Sequence, residues 1–335
     1  MVSDLGGTVG CVLVPTVDWW CWWCMIVLPA SFILSSLVHP TTQVERGRYT
    51  SAGPAPCDYN GGMGGMTTIS YGGGVQSTAM LVLACQGKLG YDVDAALFSN
   101  VGDDSEHPDS INYVREVAIP FGAKHGLDVI ELHPQRKGEE TTLWREIHRE
   151  DSRRDLIPLY GEQGNPLSRT CTADFKVKTL ERWHKDHGAT KTDPNTVLLG
   201  ISVDEIERAG RKSDGSVTVR QYPLLELGLH RHDCVEIIQD AGLPVPRKSS
   251  CFFCPFHSRL VWSEMRRDEP ELFEKAQQLE DFVMQRKRDS GMRLAYITRD
   301  GAKNGRRLSE TINEAGPTLF GGIGEDGCDS GYCFT

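Results

Sequence analysis

The chain has no surplus of basic residues: 36 lysines and arginines stand against 46 aspartates and glutamates, a net charge of −10. That balance argues against a protein built mainly to hold a phosphodiester backbone, although a local basic cleft remains compatible with it. No internal repeat runs through the 335 residues, so a solenoid or propeller is set aside. The glycine-rich turn Gly72 to Gly74 lacks the Gly-Lys-Ser/Thr ending of a Walker loop. It also lacks the G-x-G-x-x-G spacing of a dinucleotide fingerprint.

Cysteine, by contrast, is plentiful. There are 11, and spacings such as Cys251-x-x-Cys254 point to metal or redox chemistry rather than a secreted disulfide framework. A chain this long builds a core without disulfide staples.

Residues 1–65 differ in composition from everything after them. Trp19 to Val38 carries no charge over 20 residues, long enough to cross a bilayer. Pro29 interrupts it, and neither a basic region before it nor a clear cleavage site after it marks a signal peptide. A Gly/Pro-rich linker, Gly47 to Gly65, follows. The expectation is a non-core extension of residues 1–65, with the biological start at Met63 or Met66 and a cytoplasmic enzyme. A membrane anchor is the alternative, in which case Arg46 and Arg48 keep the enzyme on the cytoplasmic side.

From Met66 on, strand and helix patterns alternate, which predicts an α/β fold: a doubly wound, mostly parallel sheet. Thr67 to Tyr71 reads as a buried strand, Val75 to Ala84 as an apolar helix, and Asp92 to Ser99 as the second strand. A helix over His107 to His125, a strand over Leu127 to Leu132 and a polar helix near Thr141 to Glu150 come next. A helix over Thr172 to His187 then leads to a strand over Asn195 to Gly200. Residues 66–225 are expected to form the nucleotide-binding domain, and 226–335 a helical region with the CxxC pair and a tail.

Strand, glycine turn and helix in that order make a phosphate cradle. Backbone N–H groups approach the anion, and the helix start adds partial positive charge. Gln76 and Ser77 stand in its first turn, Ser77 with a hydroxyl to offer. Beyond strand two lies Asn100-Val101-Gly102-Asp103-Asp104-Ser105-Glu106, where a ligand of an open parallel sheet would sit. Arg169 and Lys176 flank Cys171 and suit a sulfate or phosphate group. Asp204-Glu205 follows a buried strand, with Arg208 one turn on. His184 and His187 read as helix-end caps, and Glu271 to Arg288 as an amphipathic surface helix.

Two cysteines of a CxxC can share one metal, and Cys171 and Cys234, each beside an expected helix start, are the best further thiols. Cys171, Cys234, Cys251 and Cys254 together suit a [4Fe-4S] cluster or zinc; His257 in place of Cys234 favours zinc. The alternative is a set of buried free cysteines beside Phe252, Phe253 and Phe256, and Cys85 is expected to be an inert core residue. Cys328 and Cys333, near the terminus, could attack the sulfur of a sulfonucleotide, or could clip the tail to the domain.

These ordered segments, from Gly72-Gly73-Gly74-Val75-Gln76-Ser77 to the CxxC, resemble the phosphoadenosine phosphosulfate (PAPS) reductase-like proteins of the adenine nucleotide α-hydrolase, or PP-loop, superfamily. The likeness is to the phage and actinobacterial type, related to the sulfur-inserting component of DNA phosphorothioation systems. The superfamily's loop is written S-G-G-x-D-S; here glycine replaces the first serine and Gln76 the aspartate. Ser202 stands where arginine is expected, and the E-C-G-L-H ending of true sulfonucleotide reductases is missing. The resemblance implies an adenine nucleotide, ATP or PAPS, on Gly72, Gly73, Gly74, Gln76 and Ser77. It leaves two enzymes of sulfur metabolism: a sulfonucleotide reductase served by a thiol reductant protein, and an adenylating sulfurtransferase with a nucleic-acid acceptor. A nucleotide-binding accessory module is the non-enzymatic alternative.

Overall fold

The computed structural model describes residues 65–152, 154–210 and 216–312. Expectations for the N-terminal extension up to Gly64, and for Cys328 and Cys333, lie outside the described residues. The described residues belong to one compact unit. Among the described residues no helix is long and apolar enough to cross a membrane.

Five parallel strands form the central sheet: β1 (Thr67–Tyr71), β2 (Ala95–Ser99), β3 (Asp128–Leu132), β4 (Asn195–Leu198) and β5 (Thr218–Gln221). Their order is β3-β2-β1-β4-β5. Ile69 of β1 pairs with Ala96 on one side and Leu198 on the other. The chain steps outward from β1 through β2 to β3, then crosses back to lay down β4 and β5. Loops leaving β1 and β4 therefore turn to opposite faces and open a crevice at the strands' carboxyl ends, where α/β sheets bind ligands. This is the doubly wound, Rossmann-like α/β architecture the alternation predicts.

Helix α1 (Val75–Cys85) follows the glycine turn. Helix α2 (Pro108–Tyr113) starts with His107 as N-cap and runs on through a π-helical stretch, Val114–Ala118, into a last segment, Ile119–Lys124. Pro120 in that last segment lacks an N–H and crowds the preceding turn, which a widened turn accommodates. A second π-helical stretch, Thr172–Val177, leads into α3 (Lys178–Asp186). Then come α4 (Arg231–Asp240), α5 (Arg259–Asp268) and α6 (Pro270–Asp289). The polar helix expected over Thr141 to Glu150 is only Leu143–Ile147.

Two apolar cores support the crevice. One joins β1, β2 and β4 to α1 and α4, with Ile69, Phe98, Leu198 and Ile238 among its members. The other joins Leu143, Leu159 and Phe175 to Phe252, Phe253, Trp262 and Phe273, so the C-terminal helices pack on the segment between β3 and β4.

His184 stands in the last turn of α3, as expected, but its side chain turns inward. It is fully buried, its Nδ1 3.1 Å from Asn195 Nδ2 and its Nε2 3.5 Å from Thr68 Oγ1, fastening α3 to the sheet. His187 does end α3, with its Nδ1–H on the Trp183 carbonyl at 2.7 Å. Burial pushes the His184 imidazole down to about 4. The unfolded chain, titrating near 6.5, therefore takes up this proton first as pH falls. Stability from the neutral ring is complete above pH 6.5 and is lost toward pH 4, on the order of 3 kcal/mol in all. Chemical denaturation at pH 7.5 and 5.0 is expected to show the loss, and His184→Gln to flatten it; equal slopes for both proteins would refute the assignment.

Candidate nucleotide and metal cleft

Tyr71 ends β1 and the three glycines turn the chain into α1. Gly73 has φ +73°, and a Cβ there would stand 3.3 Å from Val114 Cγ2. It makes the turn, while Gly72 and Gly74 line the cleft. Gly74 is the N-cap of α1 at φ −103°, a conformation open to any residue. Ser77 Oγ donates to the Gly74 carbonyl at 3.0 Å and accepts from the Gly74 N–H at 3.2 Å. The expected phosphate hydroxyl thus also holds its own turn shut, although Ser77 borders the cleft. The first-turn N–H groups of a helix lack intrahelical partners and attract an anion. Gly200, just past β4, seals this corner: a Cβ there would lie 3.1 Å from Ser77 N and 3.2 Å from the Gln76 carbonyl carbon.

Four cations surround the loop: Lys176, Arg208, Arg231 and Lys248 all line the cleft. Arg208 is held at 2.5 Å by Glu205, which shares the cleft wall. Arg231 Nη1 donates to Gln76 Oε1 at 3.2 Å. A cation in the first turn of α4 opposes the helix dipole, so this position does not serve the helix. Arg231 went unnoticed in the sequence, where that conflict was its only signal. Arg231→Met is expected to weaken ATP binding about tenfold with no loss of thermal stability. Unchanged affinity in calorimetry would remove Arg231 from the site.

Two expected ligand contacts are corrected. Asp204 is not among the cleft-lining residues: its carboxylate accepts the Arg231 N–H at 2.6 Å and lies 2.9 Å from His230 Nδ1. The His230 hydrogen bond, then the Arg231 N–H, hold its carboxyl below the usual range. It caps the start of α4 at Arg231. Arg169 lies outside the lining too, its guanidinium over the Phe256 ring at 5.6 Å.

Three of the four expected thiols face the same cleft. Cys171 precedes the π-helical stretch that carries Lys176, and both residues line the cleft. Cys251 and Cys254 flank a tight turn, closed by the Cys254 N–H on the Cys251 carbonyl at 3.1 Å. Buried Phe252 and Phe253 anchor that turn in the second core. Cys251 forms an antiparallel bridge with Glu106, and the N–H groups of His107 and Phe252 reach Ser250 and Ser105 carbonyls at 3.2 Å. The segment just before it, Lys248-Ser249-Ser250, lines the cleft, and Ser249 Cβ lies 3.9 Å from where a Gly74 Cβ would be. The CxxC loop thereby lies against the glycine loop.

Cys234 is the correction in this set. It is fully buried in the core beside Ile238, outside the cleft lining, and burial pushes its thiol up to about 12. His257 does not replace it. Desolvation pushes the ring down to about 4, and the neutral ring's Nε2–H donates to the Cys251 carbonyl at 3.0 Å. It clamps the loop from behind. Cys85 packs at the edge of the first core, its thiol pushed up by burial to about 11.

Among the described residues, the one trio of His, Cys, Asp or Glu ligand atoms lying within 4.8 Å of one another is His107, Asp109 and Glu269. The three cleft sulfurs are spread wider than that. Two thiolates on one zinc, at about 2.3 Å each, stand no more than about 4.6 Å apart. Three thiols at a cleft wall are a donor set suited to a [4Fe-4S] cluster or to zinc.

No family model matches the chain, and no curated protein does. Among solved structures, the U34-tRNA thiolase NcsA from Methanococcus maripaludis, with its [4Fe-4S] cluster, is similar over 72% of this chain and 70% of that one. Its sequence identity is 12% and the TM-score 0.34.

Proposed function

We propose that the chain is a PP-loop enzyme that binds ATP, activates an acceptor by adenylation and directs sulfur to it. The carrying observation is the meeting, in one cleft, of the glycine turn with Cys171, Cys251 and Cys254. Gly72, Gly74 and the first turn of α1 would hold the phosphates, with Lys176, Arg208, Arg231 and Lys248 neutralising them. An acceptor oxygen attacks the α-phosphorus and pyrophosphate leaves into this cationic pocket, where its charge is stabilised. The adenylated acceptor then takes up sulfur and releases AMP. Cys171, Cys251 and Cys254 would hold a [4Fe-4S] cluster, which would supply a sulfur relay. The acceptor class proposed is nucleic acid.

The second reading is sulfonucleotide reduction, favoured by Gln76. As a neutral partner of Arg231 it leaves that charge for a sulfonate or phosphate. In this reaction a cysteine thiolate attacks sulfur, the adenine nucleotide leaves, and a thiol reductant releases sulfite from the S-sulfonated cysteine. Cys328 and Cys333 are its candidate nucleophiles. Anaerobic protein given ATP and bulk RNA or DNA is expected to release pyrophosphate. Sulfite released from PAPS instead would install the reductase reading. Tight nucleotide binding with neither product would mark a binding module.

A further inference from the structure

Glu106 is not used by the chemistry above, yet it is oddly placed. Its side chain is 0% exposed, and neither carboxylate oxygen has a hydrogen-bond partner. Lys176 Nζ is 3.3 Å from Oε1, close enough for an ion pair but without hydrogen-bond geometry. A buried carboxylate so poorly satisfied is costly, and an apolar residue of similar volume commonly stabilises a fold better. A structural role alone therefore explains it badly. Its backbone, meanwhile, bridges Cys251. Glu106 thus touches both the CxxC loop, through main chain, and the cleft-facing Lys176, through its carboxylate.

We propose that Glu106 is a positioning residue that holds the Lys176 ammonium at the cleft wall for the phosphates of the nucleotide. This rests on the nucleotide-binding reading. Lysine carries its charge on a flexible four-carbon stem, and ordering that stem on binding costs affinity. A dry carboxylate behind the wall orders it beforehand. It does so from the strip of backbone that also seats Cys251, so the anion site and the thiol loop share one support.

The test is calorimetry on the full chain with ATP, pyrophosphate and adenosine. Glu106→Gln keeps the shape and removes the charge. ATP and pyrophosphate are expected to bind about tenfold more weakly, the scale of one charged hydrogen bond, while adenosine is unaffected. In a Lys176→Met background the same Glu106→Gln change should add nothing. Glu106→Met, which leaves no polar group to bury, repeats the measurement if the glutamine variant does not fold. Equal weakening of adenosine, or effects that add across the two positions, would overturn the proposal while leaving nucleotide binding standing. A wild-type chain that binds neither ATP nor pyrophosphate would overturn both.

Discussion

Gly74→Asp is expected to abolish ATP binding while leaving the fold as stable as before, or slightly more so. Gly74 has an ordinary backbone conformation, and a Cβ there meets only ordinary contact with Ser249, at 3.9 Å. Aspartate is also a better N-cap than glycine, by a few tenths of a kcal/mol. The new carboxylate nevertheless stands where a phosphate must lie. At about 4 Å in a partly screened cleft, two like charges repel by about 4 kcal/mol, on the order of a thousandfold in affinity. Gly73→Ala is the contrasting variant. Its left-handed φ and the nearby Val114 methyl should cost about 1–2 kcal/mol of stability. Calorimetry and thermal melting separate the two effects. A Gly74→Asp protein that still binds ATP at wild-type strength would remove the glycine turn from the site.

The second large effect concerns the thiols. Protein purified without oxygen is expected to carry iron and acid-labile sulfide, with a broad visible absorption. Cys171→Ser, Cys251→Ser and Cys254→Ser should each lose most of that metal and melt at lower temperature, since metal binding adds to folding free energy. Cys234→Ser should keep the metal, because its sulfur sits in the core beside Ile238. It should still lower stability by about 1–3 kcal/mol, through a hydroxyl placed in an apolar site. Metal loss in a folded Cys234→Ser protein would restore the four-thiol set. One zinc per chain without sulfide would exclude the cluster.

The glycine turn was legible because strand, glycines and apolar helix each follow a different, strong periodicity. The sheet was legible only in part, as four of its five strands without their order. The edge strand Thr218–Gln221 is half-buried throughout and ends in Arg220 and Gln221, so it carries no clean apolar signature. Cys234 was misplaced because a cysteine near a helix start reads equally as ligand and as small hydrophobe; the Cys234 and Ile238 spacing of four was the better clue. Cys171 and Lys176 were legible as neighbours around a helix start, but not the π-helical stretch that follows Cys171 and carries Lys176. Arg231 and Lys248 come from segments far along the chain that tertiary packing alone delivers to the glycine turn.

The central claim is that nucleotide and thiols occupy one cleft. Alkylation of the metal-free chain by iodoacetamide, mapped by mass spectrometry with and without ATP, tests it directly. Cys171, Cys251 and Cys254 are expected to be alkylated in the free protein and protected by ATP. Cys85 should react slowly and at the same rate in both, and Cys234 not at all, since burial raises both thiols. Alkylation of all three cleft cysteines at rates that saturating ATP leaves unchanged would contradict the account.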